Sequence, residues 1–207
     1  MRIYQELYDD VFHILRAQLP GYLTYHTAEH TAHVIEKAEL IAHQENVNGR
    51  HLYLIKIAAL FHDIGFIRQV KNHEEIGCEI CSLKLVRYDF PTEEIQDICD
   101  MIMATKIPQQ PKTLFEKIVA DADLEYLGTD QFHTISQNLF HEFRHYDPHL
   151  TKQRFNELQI NFMRRHHYHT DFCKQHREAR KQEHINELLE MTKLPPGPLK
   201  GEKGSKQ

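Results

Sequence analysis

In Ala58-Ala-Leu-Phe-His-Asp-Ile-Gly-Phe66 an apolar helical run ends in His62, with Asp63 next to it and Gly65 as the break. An imidazole beside a carboxylate offers two ligands suited to one divalent cation. Placing both at the end of an apolar helix is costly unless something pairs with them. The rest of the chain must supply that partner, and helical periodicity points to where. Between residue 28 and Glu45 the apolar stripe is Val34, Ala38 and Ile41, and one turn before Val34 it reaches His30. His26 lies a further turn back on the same side, whereas His33, about 300° round from His30, falls off that face. Further on, the stripe of Phe115 and Val119 reaches Asp123 one turn later, while Asp121 faces about 200° away. His30, His62, Asp63 and Asp123 thus make a shell of two imidazoles and two carboxylates drawn from three helices. It is open, with positions left for water and substrate.

The elements that must hold these residues are all helical. Ile3, Leu7, Val11, Ile14, Leu15 and Leu19 mark an amphipathic helix over 2–19, which Pro20-Gly21 ends. Helices are then expected at about 28–45, 51–63, 73–88, 93–105, 113–123, 129–144, 151–167 and 171–192. The helix at 51–63 is apolar nearly all round and should be central. Ile64–Asn72 is a loop carrying Arg68 and Lys71, and Pro108-Gln-Gln-Pro111 is a rigid connector. With no convincing strand and no internal repeat, the chain reads as all-α. A single domain over 1–192 and a disordered Pro/Gly/Lys tail over 193–207 are expected.

Composition narrows the classes. A formal charge of -5 argues against a general nucleic-acid or membrane-surface binder. No apolar run approaches the roughly 20 residues of a spanning helix, and the N-terminus carries acids where a signal peptide is apolar. A cytoplasmic location is the expectation. Cys78 and Cys81 form a C-x-x-C, but inside an apolar helical pattern without a second pair, so they read as core residues. The 17 histidines are mostly surface residues by number alone; the His166-His-Tyr-His169 run is read as a surface cluster.

The order His30, His62-Asp63, Asp123 resembles the HD-domain superfamily of metal-dependent phosphohydrolases. Tyr25-His26-Thr-Ala-Glu-His30-Thr-Ala-His-Val34 looks like the tyrosine-histidine segment of cyclic-nucleotide phosphodiesterases of that superfamily. Asn72-His-Glu-Glu-Ile76, Ile102-Met-Ala-Thr-Lys106 and Asp121-Ala-Asp-Leu-Glu-Tyr-Leu-Gly128 are similar to an uncharacterised bacterial branch, as is Gln159-Ile-Asn-Phe-Met-Arg-Arg-His-His-Tyr-His-Thr170. The resemblance implies an HD-type helical bundle with additional C-terminal helices. It also implies metal ligation by His30, His62, Asp63 and Asp123, with Asp121 as the other candidate for the last position. His73 stands where a second ion or an orienting contact would use it, but Thr105 occupies a position where binuclear members have a further histidine. One tightly held ion is therefore expected, drawn from Mn, Fe, Co, Ni, Zn or Mg.

The implied reaction is hydrolysis of a phosphate ester by metal-bound hydroxide, the substrate being a nucleotide or another small phosphorylated metabolite. His26 matches the general acid of the phosphodiesterases, and Arg68, Lys71 and Lys106 are candidates to clamp phosphate oxygens. No nucleic-acid or membrane partner is expected, and oligomeric state is not legible. The competing reading is a non-catalytic sensor of the same fold that binds metal or nucleotide without turnover. A third is a bundle in which the same residues only form a buried polar network.

Overall fold

The computed structural model describes residues 2–192. Ten α-helices run α1 (Arg2–Gln18), α2 (Ala28–Gln44), α3 (Gly49–Phe61), α4 (His73–Val86), α5 (Thr92–Met103), α6 (Leu114–Asp123), α7 (Phe132–Tyr146), α8 (Lys152–Arg165), α9 (Asp171–His176) and α10 (Glu178–Thr192). Short 3-10 turns at Ile64–Ile67 and Glu125–Gly128 follow α3 and α6. No strand occurs among the described residues, and none of these helices is long and apolar enough to cross a membrane. The expected tail 193–207 lies outside the described residues.

Helix starts follow side-chain chemistry. Thr27, Thr113, Thr151 and Thr170 each accept the backbone N–H three residues on, at the starts of α2, α6, α8 and α9. At α6 this becomes a reciprocal clamp, because Thr113 Oγ1 donates to Glu116 Oε1 at 3.0 Å while Glu116 N–H donates back. As its composition demands, α3 is central: Leu54, Ile55 and Ile57 through Phe61 are all buried, and it packs on α2, α5 and α6. Each of the leucine, isoleucine and phenylalanine side chains among them contributes roughly 1.5–3 kcal/mol by leaving water. A second apolar cluster joins the turn after α6 to α7, α8 and α10 through Leu124, Leu127, Phe132, Ile160 and Leu188. Cys81 is buried and Cys78 packs against Cys99 of α5, so the C-x-x-C faces neighbouring helices.

Two expectations need correction. The helix at 171–192 is broken at Arg177, whose guanidinium pairs with the buried carboxylate of Glu125 at 2.5 Å. The backbone of Arg177 also sits where a Cβ on Gly128 would be, 2.3 Å from its carbonyl oxygen, so only glycine lets the two segments meet. The 166–169 run is not a surface cluster either. His166 and Tyr168 are buried, and the Tyr168 hydroxyl donates to the carbonyl oxygens of Leu124 and Glu125. This segment ties the α8–α9 connection to the end of α6.

Candidate metal centre

Three helix ends converge on one corner. His30 sits in the first turn of α2, placed by the Thr27 cap; His62 follows the last residue of α3; Asp123 ends α6. The C-terminal ends of α3 and α6 carry unpaired carbonyl dipoles, which favour a cation between them. His30 Nε2 lies 3.1 Å from Asp123 Oδ1 and 3.4 Å from His62 Nε2, and His62 Nε2 lies 3.2 Å from Asp63 Oδ2. His30 Nε2 to Asp63 Oδ2 is 3.5 Å, and His62 Nε2 to Asp123 Oδ1 is 3.7 Å. The residues that periodicity alone placed on core-facing stripes thus meet at a point.

The donor atoms suit a divalent ion. His62 is fully buried, and its Nδ1–H donates to Ala59 O at 2.7 Å, which turns Nε2 towards the corner. Asp63 Oδ2 is buried without a hydrogen-bond donor. Burial alone would lower the pKa of His62, but the adjacent carboxylates, Asp63 foremost, raise it to about 9. Asp63 is itself buried, which opposes its ionisation, yet the neighbouring His62 holds it well below the usual carboxylate range. The corner draws positive charge to itself, and the four side chains fit a metal ion.

Asp121 has another job. It is buried and accepts from the backbone N–H groups of His169 and Thr170 and from the Thr170 hydroxyl at 2.6 Å. Of the two aspartates in Asp-Ala-Asp, it is Asp123 that faces the His62-Asp63 corner. Asp121→Asn is expected to lower the melting temperature, because a charge-assisted bond of about 1.5–3 kcal/mol is weakened, while metal content is kept. Asp123→Asn should lose metal with a smaller change in the stability of the metal-free protein. Metal analysis and thermal unfolding of both variants check this, and the reverse pattern would exchange the two roles.

His26 lies beside the corner and is gripped by a residue that sequence reading missed. Glu142, buried on α7, takes the His26 Nδ1–H at 2.5 Å and also accepts from the backbone N–H groups of Tyr25 and His26. Burial pulls the His26 pKa down, but the Glu142 hydrogen bond and the Asp63 charge outweigh it and the net shift is upward. The ring of His26 stacks on Phe66 at 4.3 Å, and His73 stacks on the same phenylalanine at 3.9 Å. His73 Nδ1–H donates to Val70 O, and its Nε2 stands 3.6 Å from Asp63 Oδ1. Gly65 makes this possible, since a Cβ there would lie 1.9 Å from the His73 carbonyl oxygen. Thr105 is close by but gives its hydroxyl to Ile102 O.

A cavity of about 360 Å³ opens on the corner, with His26, Asp63, His73, Glu74 and Asp123 at its polar end. The three expected phosphate clamps are not in it. Arg68 pairs with Glu79 at 3.0 Å, Lys106 pairs with Glu75, and Lys71 is an exposed loop residue. Arg68 and Lys106 take surface carboxylates in reach, and Lys71 points from its loop with no place in the cavity lining.

Residues 27–125, from the α2 cap to just past Asp123, match the HD domain family model. No curated protein matches the sequence. Among solved structures, a predicted HD superfamily hydrolase of an uncultured Thermotogales bacterium is 22% identical with a TM-score of 0.60, covering 88% of this chain and 90% of its own. A protein of Listeria innocua is 18% identical with a TM-score of 0.52, covering 93% of this chain and 98% of its own. At these identities the likeness is one of fold. The matched segment spans His30, His62-Asp63 and Asp123, so the chain carries an HD domain.

Proposed function

We propose that the protein is a metal-dependent phosphohydrolase acting on a phosphate ester of a small molecule. The observation that carries this reading is the pairing of two devices in one cavity: the ligand corner and the Glu142-held His26 beside it. A sensor has no need of a proton donor fixed next to its ion. His30, His62, Asp63 and Asp123 would hold one divalent ion, with His73 orienting Asp63 from the side. When bound, such an ion lowers the pKa of a coordinated water from 15.7 towards about 7 and polarises a phosphoryl oxygen.

The chain's own residues do the rest. Hydrolysis joins a water oxygen to phosphorus and breaks the phosphorus–oxygen bond to the leaving group. His26 donates from Nε2 to the departing oxygen, while its Nδ1–H stays on Glu142 and keeps the ring in register. The proton from the attacking water passes to solvent, and His26 is reprotonated from the same source. Apolar walls on the far side of the cavity keep bulk water out of the corner.

The test is metal analysis of the purified protein followed by a panel of phosphomonoesters and phosphodiesters with added Mn²⁺. Expected are a single divalent ion per chain and hydrolysis that chelation abolishes and metal restores. Metal without turnover of any phosphoester would favour the sensor instead. Protein without affinity for any divalent ion would reduce the corner to a polar network.

A further inference from the structure

Away from the metal corner the cavity changes character. Its far wall is Leu127, Leu139, Phe155 and Phe162, supplied by the turn after α6 and by α7 and α8. Its rim stays apolar in contact with water: Ile107 is 52% exposed, Phe143 40% and Leu158 39%. Large apolar side chains gathered at the mouth of a cavity mark a surface that a ligand covers. Among the described residues that line it there is no lysine or arginine, and its charged groups other than histidine are the acids Asp63, Glu74 and Asp123. Arg165 lines a separate cavity of about 510 Å³ that shares only Ile107, Leu158 and Phe162 with this one.

We propose that the substrate is a phosphoester with one phosphate at the metal corner and an apolar, alkyl or aryl, body lying against α7 and α8. This rests on the phosphohydrolase reading for the reaction, though not for the binding preference. A chain of phosphates or a sugar phosphate would set charge or hydroxyls against carbon, where each unpaired polar group is penalised. The volume points the same way, since about 360 Å³ is near the lower end of small-molecule sites, about 300–1,000 Å³. Gln159 is the exception on the far wall: its Oε1 accepts from Ser136 at 2.8 Å, so its NH₂ is free to bind one acceptor on the ligand body. The preference that results is for a single phosphate and a greasy leaving group.

The probe is a series of phosphonates, which cannot be hydrolysed, titrated into the Mn²⁺-loaded full chain: methyl, butyl, hexyl and naphthylmethyl phosphonate, with inorganic phosphate, pyrophosphate and tripolyphosphate alongside. Affinity is expected to rise by up to about fourfold per added methylene until the far wall is reached, and polyphosphates should bind no more tightly than phosphate itself. Leu158→Asn, a neutral change at the exposed rim, should weaken hexylphosphonate by roughly tenfold and methylphosphonate by much less. A flat series, or tripolyphosphate binding more tightly than the alkyl members, overturns the proposal. The outcomes also separate the two readings. A rising series without cleavage of the matching alkyl phosphates removes the hydrolase but keeps this preference. Cleavage of sugar phosphates or nucleoside polyphosphates with a flat series does the reverse.

Discussion

His62→Ala is expected to leave the protein without its ion and without measurable turnover. The side chain is fully buried between Asp63 and His30, with its free Nε2 aimed at the corner. Partners one layer outside a metal typically cost about 10–100-fold when removed, so a ligand at the centre should cost more. The scale is set by the water: without the ion its pKa returns from about 7 to 15.7, and nothing else in the corner can replace that. Stability should report the same event. Metal at 100 times its dissociation constant adds about 2.7 kcal/mol, and for a chain this size each kcal/mol moves the melting temperature by about 2–4 °C. Mn²⁺ should therefore raise the wild-type midpoint by roughly 5–11 °C and leave that of His62→Ala almost unmoved. Metal content, kcat and thermal midpoints measured with and without chelator decide it. A variant with undiminished metal-dependent turnover would remove His62 from the site.

The second large effect belongs to His26 and the carboxylate behind it. His26→Ala should lower kcat by about 10²–10⁴, the usual contribution of a placed proton donor, with metal content unchanged. The loss should be small for esters whose leaving groups are already good, such as nitrophenyl esters, because these need no proton. Glu142→Gln keeps the shape but removes the charge that raises the His26 pKa. His26 works in its protonated form, so activity falls as pH rises through its pKa. Weakening the Glu142 contact should move that fall to lower pH, a shift that a merely structural glutamate would not produce. The bound ion offsets the charges of Asp63 and Asp123, which leaves Glu142 as the dominant influence. An unshifted pH–rate profile in Glu142→Gln, or equal losses for good and poor leaving groups in His26→Ala, would take the general-acid role away.

Much of this site was readable from residue types and periods. A stripe such as Val34, Ala38 and Ile41 shows which side of its own helix faces inward, and His30 lies on it; the same count separates Asp123 from Asp121. Glu142 had no such signal. It lies on an amphipathic helix between exposed neighbours, 116 residues from His26, and a carboxylate in that setting reads as solvated. The Arg68, Lys71 and Lys106 expectation failed for the complementary reason. Position along the chain did not show that Arg68 and Lys106 would find Glu79 and Glu75, or that Lys71 would stay exposed in its loop.

The amino-acid sequence by itself determined the all-helical class, the approximate starts of most helices, the buried character of α3 and the residues able to bind metal, because caps and apolar periods act within about one turn of chain. Only the tertiary structure decided that the start of α2 and the ends of α3 and α6 meet at one point, that Glu142 grips His26, that Asp121 holds the 169–170 backbone, and that the cavity beyond the metal corner is greasy. Those are meetings between segments far apart in sequence, and a helical period records the direction a side chain faces but not what stands opposite it.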